Sequence, residues 1–289
     1  MVNFKAFATL VIFTVGIVIV ALASLSGSNQ DVQASSSAPA RLPSVVDNLE
    51  GASAVVEVSG NHLPLMIRWS NWRPEFGPAY VYAREGDLNG MLALSAPVEK
   101  MLMVASYDEV QRLMGQADQL KAAGVTTLGF NSENGQGMTP PDEMRTLNSS
   151  DPNVNVVARA AKLATANGFK VFWGPVRNTV DSLSDEAILA MMSAGVNGLA
   201  IQEQKFIENQ AADLRLSAVI STRERYLRLA RQAKVDEFTF HVQIMQQRCP
   251  NLPNCVTFVE GLEEIPVDSI AIWSNGPIPV DFVTAIRME

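Results

Sequence analysis

The sequence predicts an α/β barrel of the TIM type, preceded by one amino-terminal transmembrane helix. Three observations carry that expectation. From Met101 onwards, short apolar runs alternate with stretches of helical periodicity, a pattern that implies parallel strands joined by right-handed crossovers. Several strands turn polar on one face toward their carboxyl ends, as strands lining a barrel mouth do, whereas a doubly wound sheet is apolar on both faces. Finally, Phe7 to Leu25 reads FATLVIFTVGIVIVALASL without a charge, close to the ~20 residues that cross a bilayer as a helix.

Taken in order, residues 1–25 form the membrane segment, 26–43 a linker and 44–289 the barrel domain. A cleaved signal peptide is the alternative for the first segment, because Ala21-Leu22-Ala23 and Val32-Gln33-Ala34 resemble small-residue cleavage sites. The apolar stretch exceeds the ~7–15 residues of a signal core, which favours an uncleaved anchor. Lys5 precedes it, so the positive-inside rule sends the following domain out of the cytoplasm on either reading. The linker SGSNQDVQASSSAPARLP is rich in Ser, Ala and Gln, too polar to offset the entropy of ordering.

Strands are expected at 101–106, 126–131, 169–173, 197–203, 237–244 and 269–273, with helices near 108–123, 153–167, 182–194, 207–234, 256–263 and 279–287. Asp151-Pro152 is expected to open the second helix, and Asn167-Gly168 to close it with residues that tolerate a left-handed cap. In 237–244 the apolar Phe238, Phe240, Val242 and Ile244 alternate with Thr239, His241 and Gln243. Only six units follow Met101, whereas a full barrel has eight. Apolar runs at 54–58, 65–69 and 79–83 supply missing strands or form a small β-rich cap, so an incomplete or irregular barrel stays open.

Composition narrows the function classes. The 22 basic and 30 acidic residues give a formal charge of −8 without any basic run, which argues against nucleic acid as a partner. Two histidines and two cysteines show no carboxylate cluster at ligand spacing, so neither a metal nor another cofactor is expected. No G-x-S-x-G and no G-x-x-x-x-G-K is present. Cys249 and Cys255 flank a proline-rich run in RCPNLPNC. Outside the cytosol they would form a disulfide; two buried free thiols are the alternative.

Barrel chemistry lies at the carboxyl ends of the strands. Parity puts Asn131 and Glu133, Gln202 and Gln204, His241 and Gln243, and Trp273 and Asn275 on the inner face there, with Tyr107 a further candidate. Carboxamides donate and accept hydrogen bonds, and an aromatic face covers C–H surface, a set suited to a polyhydroxylated ligand such as a glycan. Alternatively these groups satisfy one another or buried waters inside an ordinary barrel. Glu133, in the glycine-flanked GFNSENGQG, is the first catalytic candidate. Glycoside hydrolysis commonly needs a second carboxylate. Glu203 in AIQEQKF is the obvious one, although strict parity turns it toward the helices. Asp108 reads as a helix cap, and Asp142 and Glu143 as first-turn acids opposing a helix dipole.

The stretches LGFNSENGQGMTPPDE, GFKVFWGP and GLAIQEQKF resemble a set of uncharacterised exported proteins that look like glycoside-hydrolase-type TIM barrels. The shared positions are Asn131, Glu133, Thr139-Pro140, Gly174-Pro175, Gln202 and Gln204, within residues 101 to about 245. The resemblance implies the fold and an exported setting, and no named reaction. Two functions are therefore expected in competition. One is a membrane-tethered, extracytoplasmic glycosidase-like protein with Glu133 as general acid or base. The other is a carbohydrate-binding or scaffold protein on the same barrel, without turnover.

Overall fold

The computed structural model describes residues 62–77, 79–96, 98–133, 138–203, 211–249 and 252–287. The segment 7–25, the linker 26–43 and the run 54–58 lie outside the described residues, as does Gln204. None of the described helices is long and apolar enough to cross a membrane.

Eight parallel strands close into a barrel in chain order. They are β1 (Leu65–Arg68), β2 (Ala79–Ala83), β3 (Glu99–Val104), β4 (Val125–Ser132), β5 (Lys170–Pro175), β6 (Val196–Gln202), β7 (Thr239–Met245) and β8 (Ser269–Trp273). The runs at 65–69 and 79–83 thus belong to the barrel and not to a cap. Leu65 pairs with Ala79 on one side and Ile270 on the other, which closes the ring. The barrel is complete but irregular. Two 3-10 turns, Trp69–Asn71 and Pro74–Phe76, join β1 to β2 in place of a helix, and a five-residue helix, α1 (Leu88–Leu92), precedes β3.

Longer connections follow. They carry α2 (Tyr107–Met114), α3 (Ala117–Ala122), α4 (Pro141–Met144), α5 (Val156–Ala166), α6 (Arg177–Ser182), α7 (Asp185–Ser193), α8 (Ala212–Gln232), α9 (Leu252–Glu263) and α10 (Val280–Ala285). Ser106, not Asp108, caps α2. Its hydroxyl accepts from the Glu109 N–H, and the Glu109 carboxylate reaches back to the Ser106 N–H at 3.2 Å, a reciprocal capping box. Asp108 is a first-turn acid of that helix. Asp151-Pro152 opens a turn, where Asp151 Oδ1 accepts from the Asn153 N–H at 2.8 Å. The buried Asn155 caps α5 instead, accepting from the Ala158 N–H. At its other end Gly168 takes φ +85°, its N–H bonds to Thr165 O and that of Phe169 to Ala164 O. This Schellman closure needs the left-handed residue that glycine supplies without strain. Gly124 and Gly195 hold the same place before β4 and β6.

Alternation along the strands sorts side chains into two layers. Leu65, Ile67, Val81, Leu102, Val104, Phe130, Trp173, Leu199, Ile201, Phe240, Val242 and Ile272 face the helices and form the main core. Each fully buried side chain of this kind contributes roughly 1.5–3 kcal/mol. The other parity points inward, where Met66, Met101, Phe172, Ala200 and Ala271 form a plug across the barrel. Phe172 fits because its neighbours on β4 and β6 are bare. A Cβ on Gly129 would overlap Met103 Sδ and the Phe172 ring, and one on Gly198 would overlap Thr239 Oγ1 and Phe172 Cβ.

Candidate functional site

Above the plug, at the carboxyl ends of the strands, a cavity of about 110 Å³ opens. Its floor is apolar, made by Met66, Met103, Phe172 and Ala200. Trp273 and Tyr82 add aromatic walls, while Asn131, Glu133, Gln243 and Arg84 supply the polar groups.

Glu133 directly follows β4, and Thr139 ties down both it and the end of the strand. Its N–H donates to Glu133 O at 3.1 Å and its hydroxyl to Asn131 O at 2.9 Å. Thr139 is buried, and Pro140-Pro141 then lead into α4. Gln202, the last residue of β6, donates from Nε2 to Glu133 Oε1 and, at 3.4 Å, to Asn131 Oδ1. Strands four and six thus hold one another's polar ends across β5, where Gly174 contributes no side chain and lines the cavity.

Tyr82 stays a neutral phenol. Burial raises its pKa most, Arg68 and Arg84 oppose that, and Glu133 adds to it. It therefore offers an O–H donor beside an ionisable carboxylate. Arg68 is committed to an ion pair with Asp87. Arg84 lines the cavity and places its Nη2 nitrogen 3.3 Å from Met138 Sδ.

Other candidates stand elsewhere among the described residues. Glu203 is turned away from the cavity into the layer beneath the helices, 1% exposed, where Oε1 accepts from Arg177 at 2.7 Å. Burial raises its pKa, opposed by Arg177 and then Arg215. Glu203 therefore does not join Glu133 at the mouth, and it follows the strict parity that turns it toward the helices, because the next residue along a strand points to the opposite face. Tyr107 begins α2 in the helix layer, with its N–H on the Glu143 carboxylate and its ring under Arg159 at 4.0 Å. Asn275 lies past β8, exposed, its N–H on Gln247 Oε1 at 3.3 Å. His241 faces the barrel interior, but on the far side of Phe172 from the mouth. None of these three lines the mouth cavity.

Sequence reasoning missed Tyr82, Arg84 and the methionine floor. The signal was present in AYVYAR, where Tyr80, Tyr82 and Arg84 alternate with Val81 and Ala83. It was unusable while β2 could still be part of a cap. Cys249 and Cys255 are disulfide-bonded, with Cα atoms 5.9 Å apart. The bond ties the turn after β7 to the first turns of α9, and Gln247 of that turn donates to Ser274 Oγ beside Trp273 at 2.8 Å.

Among the described residues no group of three or more His, Cys, Asp or Glu could hold a metal ion. Comparison with known proteins finds no family model and no curated sequence that matches the chain, so the side chains themselves carry the functional reading.

Proposed function

We propose that the carboxyl-end cavity binds a polyhydroxylated ligand, a glycan terminus, without the two-carboxylate hydrolysis of a typical glycosidase. One observation carries this reading: Glu133 is the single acidic residue among the described residues lining the cavity, and Glu203 is sealed in an ion pair. Retaining and inverting glycosidases place both carboxyl groups on the scissile bond. Here one carboxylate, two carboxamides and a phenol surround an apolar floor with Trp273 alongside. That set can accept from and donate to several hydroxyls while the rings cover a sugar's C–H face. A cavity near 150 Å³ holds a benzene ring, so about 110 Å³ admits the tip of a ligand and leaves the remainder outside.

The setting is part of the proposal. Residues 7–25 tether the protein and the barrel lies outside the cytoplasm, supported by the uncharged span behind Lys5 and by a disulfide suited to an oxidising compartment. Full-length protein with an intact amino end is expected to resist carbonate washing of membranes; its release would end the anchor reading.

The alternative is a glycosidase-like enzyme with Glu133 as general acid or base, favoured by the position of that carboxylate at a strand end facing the cavity. A glycan-array screen of the full chain, followed by hydrolysis assays on the hits, separates the two. Retained ligand without cleavage is the expected result. Cleavage that falls by about 10²–10⁴-fold in Glu133→Gln, the usual range for a lost general acid or base, would replace the binding reading with the enzymatic one.

A further inference from the structure

The barrel holds a second cavity, at its amino end, beneath the plug. It measures about 60 Å³. Lys170 and Glu237 stand at its rim, 3.6 Å apart with side chains 60% and 80% exposed, so it opens to solvent. Phe172 and His241 form its inner end, His241 only 2% exposed.

Three polar groups of the lining have capacity left. His241 Nδ1 lies 2.7 Å from Ser269 Oγ, and Nε2 has no hydrogen-bond partner among the described residues. Glu99 Oε1 accepts from the hydroxyls of Thr126 and Thr127, both at 3.0 Å, which leaves Oε2 available. The Tyr80 hydroxyl makes no hydrogen bond among the described residues. The rings are arranged around the imidazole: Tyr80 meets His241 edge-on at 5.7 Å, and Phe172 lies at 5.8 Å.

The charge balance selects the ligand's sign. Glu99 and Glu237 outweigh Lys170, and Asp268 adds negative field at Tyr80. Burial keeps His241 neutral near pH 7, so the imidazole adds no positive charge. Aromatic faces next to acceptor oxygens and an imidazole nitrogen favour a cation that also donates hydrogen bonds. One water needs roughly 10–15 Å³ on this measure of volume, so the cavity takes a ligand of only a few heavy atoms.

We propose that this amino-end cavity is a second ligand site, taking a small organic cation of the primary-ammonium class between Glu99, His241 and the rings of Tyr80 and Phe172. The probe is methylammonium chloride, titrated into the full chain while the His241 ring signals are followed by NMR, with sodium chloride at equal ionic strength as the reference. A saturable shift with methylammonium, absent with sodium, is expected. Glu99→Gln keeps the acceptor for the two threonines and removes the charge, and should weaken the response about tenfold or more, the scale of one charge-assisted hydrogen bond. Glu133→Gln, at the opposite end, should leave it unchanged. Tyr80→Phe, which retains the ring, should weaken it about threefold and serves if Glu99→Gln does not fold. No saturable shift up to roughly 100 mM, weaker than any specific site of interest, overturns the proposal. So does an undiminished response in whichever of the two amino-end variants folds.

Discussion

The two ends of the barrel are built from the same strands and the same inward parity, yet they offer different chemistry. At the carboxyl end the cavity draws Arg84, Glu133 and Met138 from beyond the strand ends, and two carboxamides link its rim. At the amino end nearly every lining group is a strand residue, and the sole histidine of the interior sits there neutral. The difference comes from the connections. Short turns with Gly124, Gly168 and Gly195 deliver the chain directly into β4, β5 and β6, and among the described residues only Glu237, just before β7, lines the amino-end cavity from outside a strand. The segments after β2 and β4 add Arg84, Glu133 and Met138 at the other. Phe172 keeps the ends apart.

Removing that partition tests the comparison most severely. Phe172→Ala should cost about 3–5 kcal/mol, as large-to-small core changes do, read as a lower urea midpoint, and should join the two cavities. A loss below about 1 kcal/mol would mean that the ring does not fill the plug. Next comes the contrast between carboxylates. Arg177→Ala strands the buried Glu203 and should cost about 3 kcal/mol, the lower end for a broken buried pair, because Arg215 still faces the same carboxylate. Glu133→Gln should change stability by less than about 1 kcal/mol, since its side chain opens on the cavity. Equal costs would make Glu133 a structural residue.

Acid should act through the amino end. Burial lowers the His241 pKa from 6.5 to about 4, so the unfolded chain takes up a proton that the folded one refuses. Stability from this group is complete above about pH 6.5 and is lost as the pH falls toward 4, by about 3 kcal/mol in all. His241→Gln should flatten that part of the stability profile while the mouth's ligand binding stays the same. An unaltered profile would place the acid sensitivity elsewhere. A smaller loss than that of His241 belongs to the disulfide. Replacing both Cys249 and Cys255 with Ser should cost about 2 kcal/mol, as for a short closed loop, and intact mass after alkylation without reductant should show neither thiol modified in the parent. Two alkylated thiols would refute the pairing.

Much of this was legible in the sequence. Strand β7 shows why: Phe240, Val242 and Ile244 against His241 and Gln243 define two faces by period alone. The helix closure at Asn167-Gly168 follows from the one residue type that accepts a left-handed cap freely. Depth was not legible. His241 and Gln243 share a face, but only the stagger of neighbouring strands puts one beneath Phe172 and the other above it. Capping was legible only in part, since Ser106 and Asn155 outcompete Asp108 and Asp151 through the positions of the N–H groups they reach.

By itself, then, the sequence determined the alternation of strands and helices, the inward parity of Asn131, Gln202 and Gln243, and the outward parity that removes Glu203 from the mouth. These are consequences of local backbone geometry, in which each residue's direction is set by its neighbours in the chain. Tertiary structure alone decided that β1 and β2 complete the ring, that Gly129 and Gly198 make room for Phe172, and that the interior is divided into two cavities. Each of those depends on groups from strands far apart in the chain meeting in one cross-section, where available volume selects the arrangement and local pattern has no bearing.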